Sequence, residues 1–335
     1  MPHIPDNPTP AQVRTAYNNG LIGCHVDAKG APPDIRRKAR YATDQALAEF
    51  DKPVFGAAAP ALMDGPDPDG LYMPFRALAE IDRETFQVVQ AGPNCTSHAA
   101  RRMAGIQRAI EALSFYPDDE THRFETYEGR DSSAIVYRAR GDNGPGMAIA
   151  TGAKALKEIG FALSQTYCDG RYDFTTEAKS YAWAKFGRRG IPSDLRDELK
   201  PYRFRVLSYI GSMEELDRAI SAGLCCMVGA TFGLSPTPHD GFITGIRGHE
   251  NHARTIEGGD FRRERRKQKL YFFGNSWGLW NAKPVQWPEE YGPWIPGQTV
   301  LTENDVWRFV RQRACWVGSS AAGYPDTTIP DYWLA

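Results

Sequence analysis

No run of this sequence is apolar enough, for long enough, to cross a bilayer: the nearest candidate, 223–234, is short and interrupted by glycine. Neither sign of charge is in excess. Forty basic residues against 41 acidic ones leave a formal net charge of −1, which argues against a general nucleic-acid binder. Cysteine is sparse and badly spaced for cross-linking. Six residues at 24, 95, 168, 225, 226 and 315 form one adjacent pair and four singles, which is neither a disulfide framework nor a four-ligand zinc site. They read as reduced thiols, with Cys225 and Cys226 as core packing. The opening residues, Met1-Pro2-His3-Ile4-Pro5, lack the basic and apolar regions of a signal peptide. The expectation is therefore a cytoplasmic or other intracellular, reducing location. No lysine or serine follows the glycine-rich run 141–146 at phosphate-loop spacing. His249 and His252 lack the carboxylate or cysteine pattern that would complete a metal site, and His249 reads as a loop residue. No metal and no organic cofactor is expected.

What is present is length and punctuation. With 335 residues the chain can bury a large core or build two lobes around a cleft. Residues 1–70 read as an N-terminal arm containing a helix from Pro33 to Phe50 and irregular structure from 56 to 70. Residues 71–205 read as a helical lobe, with helices after Asn94 and from Met147 to Ile159, the latter stopped by Gly160. Residues 206–335 read as a strand-rich lobe. It opens with a capping box at Ser212-Met213-Glu214-Glu215 and a helix to Ala222. Strands follow over 225–230, 241–246, 253–257 and 270–273, then a late helix over 305–312, capped by Thr302 or Asn304. A helical half followed by a strand-rich half implies an α+β fold rather than alternating βα units. The run from Arg262 to Lys269, six basic residues and one acidic, reads as a solvated hairpin tip or, alternatively, a contact for an acidic partner. No membrane contact and no nucleic-acid partner are expected otherwise, and oligomeric state is not legible.

One stretch invites chemistry. Gly92 and Pro93 mark a loop, Asn94 is a good N-cap, and Cys95 opens an alanine-rich run with apolar residues at helical spacing. A thiol at a helix start sits among unpaired N–H groups, which favour the thiolate. Far downstream stand Asn251-His252-Ala253 and Tyr271-Phe272-Phe273-Gly274-Asn275-Ser276-Trp277-Gly278. A cysteine peptidase needs a thiol, an imidazole to exchange protons with it, a group to orient that imidazole, and donors for the oxyanion. Cys95, His252, Asn275 and Gln90 supply these residue types.

On those residues, in the order Gln, Cys, His, Asn, the chain resembles the papain family of cysteine peptidases over roughly 71–325. The resemblance implies a two-lobed fold, a helical lobe carrying Cys95 and a β-barrel-like lobe carrying His252 and Asn275, with the active site in the cleft between them. It further implies that Trp277 shields the His252–Asn275 hydrogen bond. Substrate backbone would bind at Asn143, Gly144, Pro145 and Gly146. Departures are visible: Pro93-Asn94-Cys95-Thr96 replaces the usual Cys-Gly-Ser-Cys-Trp, and Pro145 brings no N–H to a substrate. His252 and Asn275 also lie farther beyond Cys95 than the about 130–150 residues usual for papain-type enzymes. The implied activity is hydrolysis of peptide or amide bonds in a peptide or protein substrate. Two alternatives stay open: a non-catalytic structural or assembly protein of a viral or phage particle, and a thiol-dependent amidase or acyl transferase. Finally, the arm has too few large apolar residues for its own core, and family pro-segments run through the cleft. It is expected to pack over or beside that cleft.

Overall fold

The computed structural model describes residues 24–319, apart from 29, 30, 32, 52, 116, 117, 279 and 282. The first 23 residues of the arm lie outside the described residues. The described chain begins with a short strand, β1 (Cys24–His25), and a helix, α1 (Pro33–Glu49). Proline at the first helical position loses nothing, because that N–H has no intrahelical partner. Ala39, Thr43 and Ala46 turn inward at helical spacing. The stretch 56–70 is not irregular throughout, as expected, but overlaps two single-turn helices, α2 (Phe55–Ala58) and α3 (Pro60–Met63). Phe55 and Leu62 enter the core there. The stretch is also fastened to the body: Tyr209 N–H donates to the Pro53 carbonyl (2.6 Å) and Gly56 N–H to Glu215 Oε1 (2.9 Å).

Strand β2 (Leu71–Tyr72) and helix α4 (Phe75–Ile81) lead to α5 (Cys95–Phe115), which runs through the middle of the molecule and is buried nearly all round. Three of its arginines are buried, which is tolerable only with partners. Arg101 donates to the Thr85 carbonyl, Arg102 pairs with Glu257, and Arg108 pairs with Asp131 (2.8 Å). Next come α6 (Glu120–Tyr127), β3 (Asp131–Ser132), α7 (Ala134–Arg138), β4 (Met147–Ala148) and α8 (Ile149–Glu158). Gly160 stops α8 at φ +101°, a conformation that favours glycine. Then follow β5 (Ala162–Leu163), which pairs with β3, the hairpin β6 (Thr166–Tyr167) and β7 (Tyr172–Asp173), and helices α9 (Glu177–Ala184) and α10 (Ser193–Glu198).

The rest is mostly one sheet. Its strands are β8 (Val206–Tyr209), β9 (Cys226–Leu234), β10 (Ile246–Asp260), β11 (Leu270–Gly274), β12 (Thr299–Thr302) and β13 (Cys315–Ser319), with α11 (Met213–Ser221) after β8, α12 (Arg263–Arg266) in the β10–β11 turn, and α13 (Glu303–Val310) after β12. The order is β12-β11-β10-β9-β13-β8, with β2 added to the end of β10, and all seven strands pair antiparallel. The fold is α+β. The sheet is open rather than closed into a barrel among the described residues. Helix α5 covers one face around Met227, Ala253 and Phe272, while Phe55, Leu216 and Phe309 cover the other. Burial on both faces explains why β9 reads as an unbroken small-and-apolar run.

Four local expectations are corrected. Residues 241–245 form no strand but a turn with isolated bridges at Ile243, and β10 instead begins at Ile246 and is 15 residues long. His249 therefore sits on a strand rather than in a loop, exposed, at an irregularity in the β9–β10 register. The capping box is half formed: Ser212 accepts from Glu215 N–H (3.1 Å), but the Glu215 carboxylate turns to the N–H groups of Gly211 and Gly56. A neighbouring N–H at Gly211 and a distant one at Gly56 take the place of the Ser212 N–H. The basic run is not simply solvated either, because Arg262 and Arg266 fold back onto Asp260, which also accepts from Tyr291 (2.8 Å).

Candidate active site

The loop before α5 is fixed by the strand end that carries Asn275. Gln90 N–H donates to the Ser276 carbonyl (3.0 Å), and Val89 bridges to Trp277. The Ser276 hydroxyl donates to Gln90 Oε1 (2.6 Å), and Gln90 Nε2 donates to the Gly92 carbonyl (2.8 Å). Residues 186 apart in sequence are thereby clamped together. Gly278, at φ +57°, allows this approach, since a Cβ there would meet Val89 at 2.8 Å and the Gln87 carbonyl at 3.0 Å. The turn is clamped from the other side too, because a Cβ at Gly92 would fall on the Tyr181 ring.

Cys95 begins α5 and is fully buried. Asn94 does not cap the helix with its side chain, as its position suggested. Its Nδ2 donates instead to Glu177 Oε1 (2.8 Å) and Ser133 (3.3 Å). One turn along, His98 Nε2 pairs with the same Glu177 oxygen (2.9 Å), and Ser133 donates to the other (2.8 Å). Burial alone would raise the Glu177 pKa, but His98 and the three hydrogen bonds outweigh it and hold the carboxyl below its ordinary value.

His252, on β10, is fully buried, with Trp277 stacked on its ring (4.4 Å between centroids, 26° between planes). Its Nε2 lies 2.7 Å from Asn275 Oδ1, and that oxygen also accepts from Ser276 N–H (2.7 Å). The Ser276 N–H marks this end of the carboxamide as the oxygen, which has no hydrogen and can only accept, so Nε2 carries the ring proton and Nδ1 is the basic nitrogen. Nδ1 makes no hydrogen bond among the described residues. Burial first, then Arg254 and His98, push the imidazole pKa well down, against the pull of Asn275. The ring is neutral in this state.

Asn275 is braced from below. Arg102 Nη1 lies 3.4 Å from its carbonyl, and Arg102 itself is held by Glu257 and stacked over Phe86 (4.2 Å). A Cβ at Gly274 would fall on the Glu257 carboxylate and the Arg102 guanidinium. Gly274→Ala is therefore expected to cost about 1–3 kcal/mol of stability through overpacking and to displace Asn275, its neighbour. Thermal denaturation reads this directly; an unchanged melting temperature would count against the packing described.

The arm reaches this site. β1 pairs in parallel with β4, Cys24 opposite Met147 and His25 opposite Ala148. Thr96, beside Cys95, donates to the Met147 carbonyl (3.1 Å). On the opposite side, a Cβ at Gly229 would meet Cys24 Sγ at 2.6 Å and Val26 at 2.9 Å, so glycine lets this strap lie against the sheet. Cys24 is buried, and that burial together with the neighbouring Cys95 thiol raises its pKa strongly. In the glycine-rich loop, the Pro145 carbonyl faces His25 Nε2 (3.2 Å), and Gly144 N–H is taken by Asp142 (2.8 Å). Asn143 turns away to Arg188 N–H (3.1 Å), and Gly146 adopts φ +74°.

No protein-family model matches this chain, and no curated protein matches it. Solved structures do. Xylellain, a cysteine protease from Xylella fastidiosa, is 14% identical with a TM-score of 0.44, covering 78% of this chain and 89% of that one. Procathepsin B S9 from Trypanosoma congolense is 12% identical with a TM-score of 0.43, covering 79% and 80%. Digestive procathepsin L 3 from the Tenebrio molitor larval midgut is 11% identical with a TM-score of 0.41, covering 92% and 99%. Likeness at this level carries no argument about chemistry.

Motif reading passed over several residues of the site. Glu250 and Arg254 stand two residues either side of His252, a spacing that in a strand points to one face. His98 follows Cys95 at i+3 on α5, also a legible spacing. Nothing local marks Cys24, Glu177 or Tyr181. No group of three or more His, Cys, Asp or Glu among the described residues is arranged to hold a metal ion, and no helix among them is long and apolar enough to cross a membrane. None of the six cysteines forms a disulfide.

Proposed function

We propose that this chain is a papain-like cysteine peptidase whose nucleophile is Cys95. The observation that carries the reading is the 2.7 Å contact of His252 Nε2 with Asn275 Oδ1 beneath Trp277, which assigns the ring proton to Nε2 and leaves Nδ1 as the base. His252 Nδ1 takes the Cys95 proton, and the thiolate adds to the carbonyl carbon of a peptide bond. The resulting oxyanion accepts hydrogen bonds from the Cys95 backbone N–H and from the second Nε2 hydrogen of Gln90, whose first is spent on Gly92. Collapse breaks the C–N bond as imidazolium Nδ1–H protonates the leaving amine, giving a thioester and neutral His252. Water, deprotonated by the same nitrogen, then releases the acid and restores the thiol. Peptide or protein is the substrate class, with backbone binding at 143–146 after the strap leaves. An amidase or transferase would use the same thiol chemistry with a different amide or acceptor.

Labelling with a vinyl-sulfone peptide and peptide mass mapping tests this. The adduct is expected on Cys95. Burial pushes the Cys225 and Cys226 thiols up, and burial with Glu198 nearby brings Cys168 to about 11, so none of these competes. No adduct on Cys95 after removal of residues 1–28, or a dominant adduct elsewhere, overturns the reading.

A further inference from the structure

His252 is bracketed by charge on its own strand. Glu250 Oε1 accepts from Arg254 Nη2 at 2.7 Å and lies 4.0 Å from His252 Nε2, and all three side chains are at most 2% exposed. The Arg254 Nε and Nη1 atoms have no hydrogen-bond partner among the described residues, so Glu250 is the carboxylate that answers this guanidinium. Glycine at 233 leaves the room that this carboxylate occupies, since a Cβ there would fall on its Oε2. In so dry a setting charges are poorly screened and act at full reach.

We infer that Glu250 is a positioning residue for His252, neutralising Arg254 so that the imidazole can accept a proton. This rests on the reading of His252 as the base. An imidazolium forms in every turnover. Beside an unanswered guanidinium it would be opposed by a like charge a few ångströms away. Two other buried basic side chains of the site also face carboxylates: His98 on α5 meets Glu177 on α9, and Arg102 on α5 meets Glu257 on β10. Burial first, and Arg254 next, push the His252 proton affinity down. Burial, opposed by Arg254, raises Glu250 to about 6, and the 2.7 Å pairing with Arg254 favours its charged form.

A charge cycle on the full chain tests the inference: Glu250→Gln, Arg254→Gln and the double variant, read by nitrogen NMR titration of the His252 ring. Arg254→Gln is expected to raise the imidazole pKa and Glu250→Gln to lower it, each by about one unit or more. The double variant should return towards the wild type. In turnover, Glu250→Gln should lose about 10- to 100-fold in kcat, and the double variant should recover most of that. A merely structural role predicts the opposite, the double variant being no better than Glu250→Gln. Glu250→Asp, which keeps the charge, should keep the wild-type titration if Glu250→Gln folds poorly. An imidazole titration unmoved by Glu250→Gln, or no recovery in the double variant, overturns the inference. The NMR cycle needs no turnover, so its failure leaves the peptidase reading standing, and absence of hydrolysis leaves the cycle readable.

Discussion

Cys95→Ala and His252→Ala are each expected to lower peptide hydrolysis by on the order of 10⁴-fold or more, and the double variant by little further. In the proposed mechanism thiol and imidazole act as one unit: without Nδ1 the thiol would keep its proton, and without the thiol there would be nothing for the base to activate. Cys95→Ala removes one buried sulfur and should leave the fold intact. His252→Ala opens a hole beneath Trp277, so His252→Gln is the companion variant that keeps the volume. Asn275→Ala should be milder, since Asn275 orients the ring and does not react. Single-turnover kinetics on a fluorogenic peptide, with circular dichroism to check folding, would measure these effects. Turnover near the wild-type rate in either Cys95→Ala or His252→Ala would remove the proposed function.

Displacing the strap should have the next largest effect, in the opposite direction. Val26 is fully buried and Cys24 nearly so, both against the Gly229 strand and β4. Burying such a side chain is worth about 1.5–3 kcal/mol, so two together suppress opening by on the order of 100-fold or more. Deleting residues 1–28, or introducing Val26→Asp, is expected to raise alkylation of Cys95 by that factor. The cut must stop there. Phe50, Phe55 and Leu62 are core residues, and Val54 bridges to Tyr209 in β8, so a longer deletion would unfold the body rather than open the site. Rates of Cys95 alkylation that stay unchanged in both variants, with melting temperatures preserved, would show that the strap does not gate the thiol.

Much of the local structure was legible because its causes are local. Pro33 starts α1, Gly160 stops α8, Ser212 caps α11 and Thr302 caps α13, each through a bond or a dihedral preference spanning a few residues. The errors fall where a distant partner competes. Asn94 stands where an N-cap stands, yet Glu177, 83 residues away, takes its side chain. Glu215 stands where a capping box closes, yet the N–H of Gly56, 159 residues away, takes one of its oxygens. Residues 241–246 carried strand-like residue types, but pairing needs a neighbour in register, and β9 finds one at Ile246 onward instead.

For the site the division is similar. Residue type and order alone singled out Cys95, His252, Asn275 and Gln90, because a thiol at a helix start and an Asn-Ser-Trp-Gly turn are local patterns. Only the tertiary structure decided which His252 nitrogen faces an acceptor, since that depends on an Asn275 oxygen 23 residues away and its second donor at Ser276. It alone decided that Glu250 answers Arg254, because side-chain direction through an irregular strand is not fixed by spacing. It alone laid Cys24 beside Cys95, since parallel pairing of β1 with β4 joins segments more than 120 residues apart, and no local signal records so long a closure.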